Sequence, residues 1–334
     1  MTVRRRNSTV AFAAASLALA FTASACGSSS SGGSPGATNP TNTASAASLP
    51  ALCGGHQGSG KVLIASQSFP ESETLAAIYA AALKECGYST STKAFDSREV
   101  YYPELKKGVV QVVPDYAATL TDYINTLANG PNAPSTASGK IAVTMKTLRA
   151  ELPSTLAALT PATSTDKNAF AVTKKFATAN HITTVSQLAT YSHSHPVIMA
   201  GPAECPTRPF CELGLKNTYG MKFAGFVQTD QGGPLTYKAL ASGKANLGLV
   251  FTSDPTIASH GVVELIDNKH LQESDNIVPI VAKSLATGAA ASALNAVDAK
   301  LDQKTLVSLN KAVEVDRGTP TVVAGQFLQQ EGLS

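Results

Sequence analysis

At 334 residues, 43% apolar and 15% charged, the chain is long enough for one large or two medium domains. The net charge of +3 comes entirely from Arg4, Arg5 and Arg6; without them, acids and bases balance. That neutrality argues against nucleic acid as a partner, because binding a phosphate backbone needs a basic footprint.

The three arginines open a pattern that predicts an export signal over residues 1–25. An apolar run at 10–20 follows, too short to stay in a bilayer as a spanning helix, and small residues lead to Ala23-Ser24-Ala25-Cys26. A cysteine directly after such residues is similar to a bacterial lipobox, so Cys26 is the expected lipidation site and the extracytoplasmic face of the cell membrane the expected location. An ordinary signal that happens to contain a cysteine is the alternative. Residues 27–49 hold almost nothing apolar beyond alanine and read as a flexible spacer. The whole lipidated linker is expected to span 26–59.

Four cysteines remain: Cys53, Cys86, Cys205 and Cys211. An even number in an oxidising compartment favours two disulfides. Cys205 and Cys211 would close a small loop. Cys53 just before the first strand and Cys86 at the end of the next helix fall at one end of a strand–helix unit, so a bridge there is sensible. A metal is the competing use, but no histidine lies at ligand spacing from either pair.

The folded part opens with a short apolar run at 61–65, which predicts a buried strand. A polar loop, Ser66-Gln67-Ser68-Phe69-Pro70-Glu71, leads into Leu75, Ile78, Tyr79, Ala82 and Leu83 at helical spacing, and Gly87 stops the helix. Strand, loop and helix in that order begin an α/β domain with a ligand-ready loop at the strand's exit. An internal repeat follows. Tyr102, Leu105, Gly108 and Tyr116 recur as Tyr237, Leu240, Gly243 and Phe251 at a constant offset of 135 positions. Each copy reads as a helix end, a turn glycine, a strand and an aromatic at its exit. The offset is too long for a solenoid and predicts two similar lobes whose exits, Tyr116 and Phe251, face one cleft. Segments at 159–172 and 276–281 are the expected crossings between lobes, and Leu306, Leu309 and Val313 mark a closing helix.

Motifs for catalysis fail on context. Gly55 to Lys61 has the spacing of a phosphate loop but precedes a strand instead of opening a helix. His193 and His195 have no third ligand nearby, and neither a nucleophile elbow nor paired catalytic carboxylates stand out. The expectation is no enzyme, no metal and no cofactor. The stretch Glu204-Cys205-Pro206-Thr207-Arg208-Pro209-Phe210-Cys211 is different: a strand exit, prolines and a disulfide would hold one guanidinium rigidly, which suits capture of a carboxylate by the planar fork.

Several segments together resemble the osmoprotectant-binding proteins of ABC importers, the family for glycine betaine, choline and carnitine. They are the Ser66–Glu71 loop, Gly108 with Asp115-Tyr116-Ala117-Ala118-Thr119, Thr207-Arg208 with Gly214, Tyr219-Gly220, Tyr237, and Phe251-Thr252-Ser253-Asp254. The resemblance implies an α/β, two-lobed, periplasmic-binding-protein-like (type II) fold with two crossings: one lobe of 60–168 plus 277–334, the other of 169–276. It also implies a monomer that serves a permease and an ATPase and carries a small-molecule solute. Residue by residue, it implies that Tyr116 and Thr119 line the cleft and that Arg208, with Thr207, takes a ligand carboxylate. Phe251 stands where the family has a tyrosine. The family's later Pro-Pro-Tyr motif falls at Asp275-Asn276, and its crossover tyrosine near Asn168, with Phe170 close by. Ser66, Gln67 and Phe69 of the first loop and Asp230 would complete the lining. Quaternary ammonium groups are held by aromatic faces worth roughly 0.5–2 kcal/mol each, so two missing walls weaken betaine binding by an order of magnitude or more. A polyol, sugar or aromatic solute is the alternative occupant of so reduced a cage.

Overall fold

Two runs of strands alternate with helices, and each run closes into its own five-stranded sheet. The computed structural model describes residues 51–334, within one compact unit. The signal, Cys26 and the spacer at 27–49 lie outside the described residues.

The first run is β1 (Lys61–Gln67), α1 (Pro70–Glu85), β2 (Ser89–Phe95), α2 (Arg98–Lys106), β3 (Val112–Tyr116), α3 (Ala117–Asn129), α4 (Ile141–Glu151) and β4 (Leu156–Ala158). The second is β5 (Asn168–Thr173), α5 (Lys174–Asn180), α6 (Val185–Tyr191), β6 (Ile198–Gly201), α7 (Glu212–Tyr219), β7 (Gly225–Gln228), α8 (Pro234–Ala241), β8 (Leu247–Phe251) and β9 (Val262–Glu264). The chain then returns as β10 (Ile277–Ala282) and ends in α9 (Gly288–Asp298), α10 (Gln303–Glu314) and α11 (Pro320–Gln330).

Strand order is β2-β1-β3-β10-β4 in one sheet and β7-β6-β8-β5-β9 in the other. The two orders correspond place for place. In each, the fourth strand runs antiparallel to its neighbours and is the one reached by crossing from the other lobe. The repeat occupies the central place of both: β3 and β8 follow Gly108 and Gly243, whose φ angles of +75° and +72° suit only glycine without strain. At the crossings, Thr165 bridges Asn276 and the Asp166 N–H bonds to the Asp275 carbonyl at 3.0 Å, so the two passes lie side by side.

The first sheet is buried on both faces, which is why its strands read as apolar runs. Val62, Ile64, Val112, Ile277 and Val281 pack on the helical stripe Leu75, Ile78, Tyr79, Ala82 and Leu83 of α1 and on α9 to α11. The alternate residues Ala65, Val113, Val278 and Ile280 face Tyr101, Tyr102, Leu105, Leu120 and Leu148. Phe170, expected near the cleft, instead sits in the second lobe's core with Val172, Met199 and Leu247. Cys53 is bonded to Cys86, and Cys205 to Cys211. Leu52 and Cys53 are buried against the first lobe, so ordered chain begins upstream of the boundary expected at residue 60.

Candidate functional site

Strand exits converge on the seam between the lobes. Gln67 ends β1 and Phe69 follows it, Tyr116 ends β3, and Phe251 ends β8. The loop after β6 brings Pro202, Glu204 and Arg208, and the crossings bring Asp166, Asn168 and Asp275; together they line a cavity of about 40 Å³. Such a position, outside the carboxyl ends of the strands, is where open α/β sheets bind ligands. The Phe69 ring stacks on Tyr116 at 6.3 Å between centroids and on Phe251 at 5.6 Å, with planes 23° and 17° apart. Phe69 and Tyr116 belong to the first lobe and Phe251 to the second, so a file of three rings spans the seam. An adjoining hollow of about 230 Å³ continues along α3 past Arg98 and Arg208 to Tyr123 and Phe210.

Both arginines of the cleft are already paired. Arg98, 1% exposed, places Nη2 at 2.6 Å from Asp115 Oδ1 and donates to the Thr119 hydroxyl at 2.9 Å. Tyr101 donates to the other oxygen of Asp115. A buried guanidinium needs this satisfaction, since an uncompensated charge there costs several kcal/mol. Arg208 reaches across the seam to Glu99 at the start of α2, with contacts of 2.9 and 3.1 Å from Nη2 and 3.3 Å from Nε. Burial opposes the Glu99 charge, yet the Arg208 guanidinium outweighs it and holds that carboxyl at about 2. A second cross-seam bond runs from Gln231 Nε2 to the Asp96 carbonyl at 2.9 Å.

Acidic groups gather where the crossings meet the cleft. Asp275 Oδ1 accepts the N–H groups of Ala118 and Thr119 at 2.9 and 3.0 Å, capping α3 from outside that helix. Burial raises its carboxyl to about 7, against the Thr119 bond and the nearby Arg98 charge. Glu71 and Asp166 form a second buried group. Tyr116 donates to Glu71 Oε1 at 2.8 Å, and Asn310 to Glu71 Oε2 at 2.6 Å. The Ser253 hydroxyl lies 2.7 Å from Glu71 Oε2 and also 2.7 Å from Asp166 Oδ1. One hydroxyl carries one proton, so one of these carboxyls must supply the other. Burial raises both, Asp166 further through the Glu71 charge.

Of the residues singled out in the sequence, Gln67, Phe69, Tyr116, Thr119, Asn168, Arg208 and Phe251 line the ring cavity. Four do not. Ser66 is buried within β1, away from that lining. Asp230 is a helix cap: its carboxylate accepts from the N–H groups of Gly233, Leu235 and Thr236 at the start of α8. Asn276 turns its amide to the Ala162 and Thr163 carbonyls. Thr207 is exposed, bonds the Glu204 carbonyl and faces the adjoining hollow. Sequence reading missed Arg98, Asp166, Glu204, Gln231 and Asp275 among the lining. Asp275, Gln231 and Glu204 carried a signal, as neighbours of chosen residues or members of a quoted stretch; Arg98 and Asp166 carried none.

Residues 60–330 match the family model described as the substrate-binding domain of ABC-type glycine betaine transport systems. The chain belongs to this family. Among solved structures, a choline-binding protein of an ABC transporter in complex with choline aligns with a TM-score of 0.60 at 15% identity, covering 85% of this chain and 90% of that one. A glycine betaine/carnitine/choline ABC transporter protein aligns at 0.59 and 20% identity, covering 81% and 99%. Lactococcal OpuAC, closed on glycine betaine, aligns at 0.57 and 16%, covering 82% and 96%. These likenesses establish the periplasmic-binding-protein-like fold, and membership establishes a solute-binding role in ABC transport, a task performed outside the cytoplasm. No helix among the described residues is long and apolar enough to cross a membrane.

Proposed function

We propose that the protein captures a small ammonium solute, of the kind represented by glycine betaine and choline, between its lobes and hands it to the permease of an ABC importer. The file of Phe69, Tyr116 and Phe251 across the seam carries this reading. A cation without strong hydrogen-bond donors is held by ring faces, and rings supplied by both lobes couple its capture to closure. Arg208 takes the anionic end of a zwitterion, exchanging Glu99 for the ligand's carboxylate. The named ligands of the choline-binding protein and of lactococcal OpuAC are of this class. The protein works as a monomer anchored through a lipid on Cys26, with the low-complexity stretch as its tether. The mass of the protein recovered from membranes reads the anchor directly.

Calorimetry of the purified protein against glycine betaine, choline, carnitine and proline betaine tests the solute. At least one should bind with micromolar or better affinity. Silence from all four, with heat from a sugar, polyol or phenolic compound, would move the substrate out of the ammonium class.

A further inference from the structure

The ring cavity contains a carboxylate oxygen that the protein itself does not satisfy. Asp275 is 4% exposed, and its side chain lines the cavity. Oδ1 is occupied by the Ala118 and Thr119 N–H groups, with the Thr119 hydroxyl at 3.4 Å. Oδ2 receives no donor among the described residues. Asp166 lies beside it on the other crossing, 3% exposed and also on the cavity wall.

The surrounding groups leave this corner without a free cation among the described residues. Arg98, on α2, is matched by Asp115 on β3, and Arg208 by Glu99, with Glu204 at 3.7 Å. Glu71, on α1, adds a carboxyl behind Asp166, and the two share a proton through the Ser253 contact. Neither guanidinium makes an ion pair with Asp275, so its second oxygen remains an acceptor for a guest, as does the second oxygen of Asp166.

Resting on the reading of the cleft as a seat for an ammonium solute, we propose that Asp275 makes it select amines that keep at least one N–H over fully methylated ones. The N–H donates to Asp275 Oδ2 while the remaining methyl groups lie on the ring faces of Phe69 and Phe251. A quaternary ammonium offers that oxygen no donor and so forfeits a charge-assisted bond, about ten- to a hundredfold in affinity. Burial raises the Asp275 carboxyl, so the guest's positive charge takes the place of a proton held there.

Calorimetry with the full protein separates the possibilities, using pairs that differ by one methyl: dimethylglycine against glycine betaine, and dimethylaminoethanol against choline. The N–H-bearing partner of each pair should bind at least tenfold tighter, and Asp275→Asn should collapse the difference. Equal or tighter binding of the quaternary partner overturns the proposal and leaves the ammonium reading standing, as does a preference that persists in Asp275→Asn. Silence from all four compounds overturns both. Should Asp275→Asn fail to fold because α3 loses its cap, the wild-type comparison alone still decides.

Discussion

Asp275 caps α3 with one oxygen and, on the proposal above, offers the other to a guest, and both tasks depend on how it titrates. A carboxyl raised to about 7 in the folded protein and near 3.9 in the unfolded chain keeps its proton longer when folded. The folded state therefore binds more protons between about pH 4 and pH 7, and stability falls as pH rises through that window. The expected contribution is about 1.4 kcal/mol per pH unit for one such group. Urea unfolding followed at half-unit steps should show this slope in the wild type and a slope shallower by about that amount in Asp275→Asn. Equal slopes would mean that Asp275 is ionised throughout. At this scale the sequence disclosed the rings and Arg208, because a ring at a strand exit and a guanidinium in a bridged, proline-rich loop have few other uses. It did not disclose the polar partners. Asp230 looked like a hydrogen-bonding residue of the cleft, but the same Thr-Asp-Gln-Gly-Gly-Pro stretch encodes a helix start, and the cap consumed the carboxylate. Asp275 and Asn276 sit on a segment whose adjacent side chains point to opposite sides, so an error of one position exchanged a cleft residue for one bonded to the Ala162 carbonyl.

At the level of elements, the pair of helix–turn–strand units is where sequence and structure agree most closely. The agreement has a backbone cause. Each copy must turn from a helix into a central buried strand within a few residues, and Gly108 and Gly243 make that turn in the left-handed region. An alanine at Gly243 would meet no neighbour within 4 Å, so its cost is conformational alone, about 1 kcal/mol. Gly243→Ala should lower stability by that amount in thermal or urea unfolding while leaving solute affinity unchanged. A large loss of affinity would mean that the turn also sets the position of Phe251. Less visible in the sequence was the partner of each crossing strand. Antiparallel insertion of β5 beside β8, and of β10 beside β3, joins segments far apart in the chain and leaves no periodic mark.

For the molecule as a whole, closure is held by few bonds. Away from the crossing segments, and besides the rings and the Ser253 group, the seam is crossed by Arg208 to Glu99 and by Gln231 to Asp96. The Glu99 side chain is 40% exposed, so its ion pair belongs with those worth about 0.2–1 kcal/mol. Its more consequential effect is competition, since a ligand carboxylate must displace Glu99 to reach Arg208. Glu99→Gln should therefore tighten binding of zwitterions up to about fivefold and leave choline, which has no carboxylate, nearly unaffected. Calorimetry on the two ligand types reads this, and equal changes for both would place the effect in closure instead.

The Cys53–Cys86 bridge has a mechanical meaning that binding experiments do not reveal. It fastens the first of the described residues to the far end of α1, so a pull arriving from upstream passes into that covalent staple before it reaches β1. Peeling the outermost segment would otherwise start the unravelling of the first sheet. With the staple closed, a change in the length of chain upstream of residue 51 meets α1 before it meets the strand that leads to the cavity.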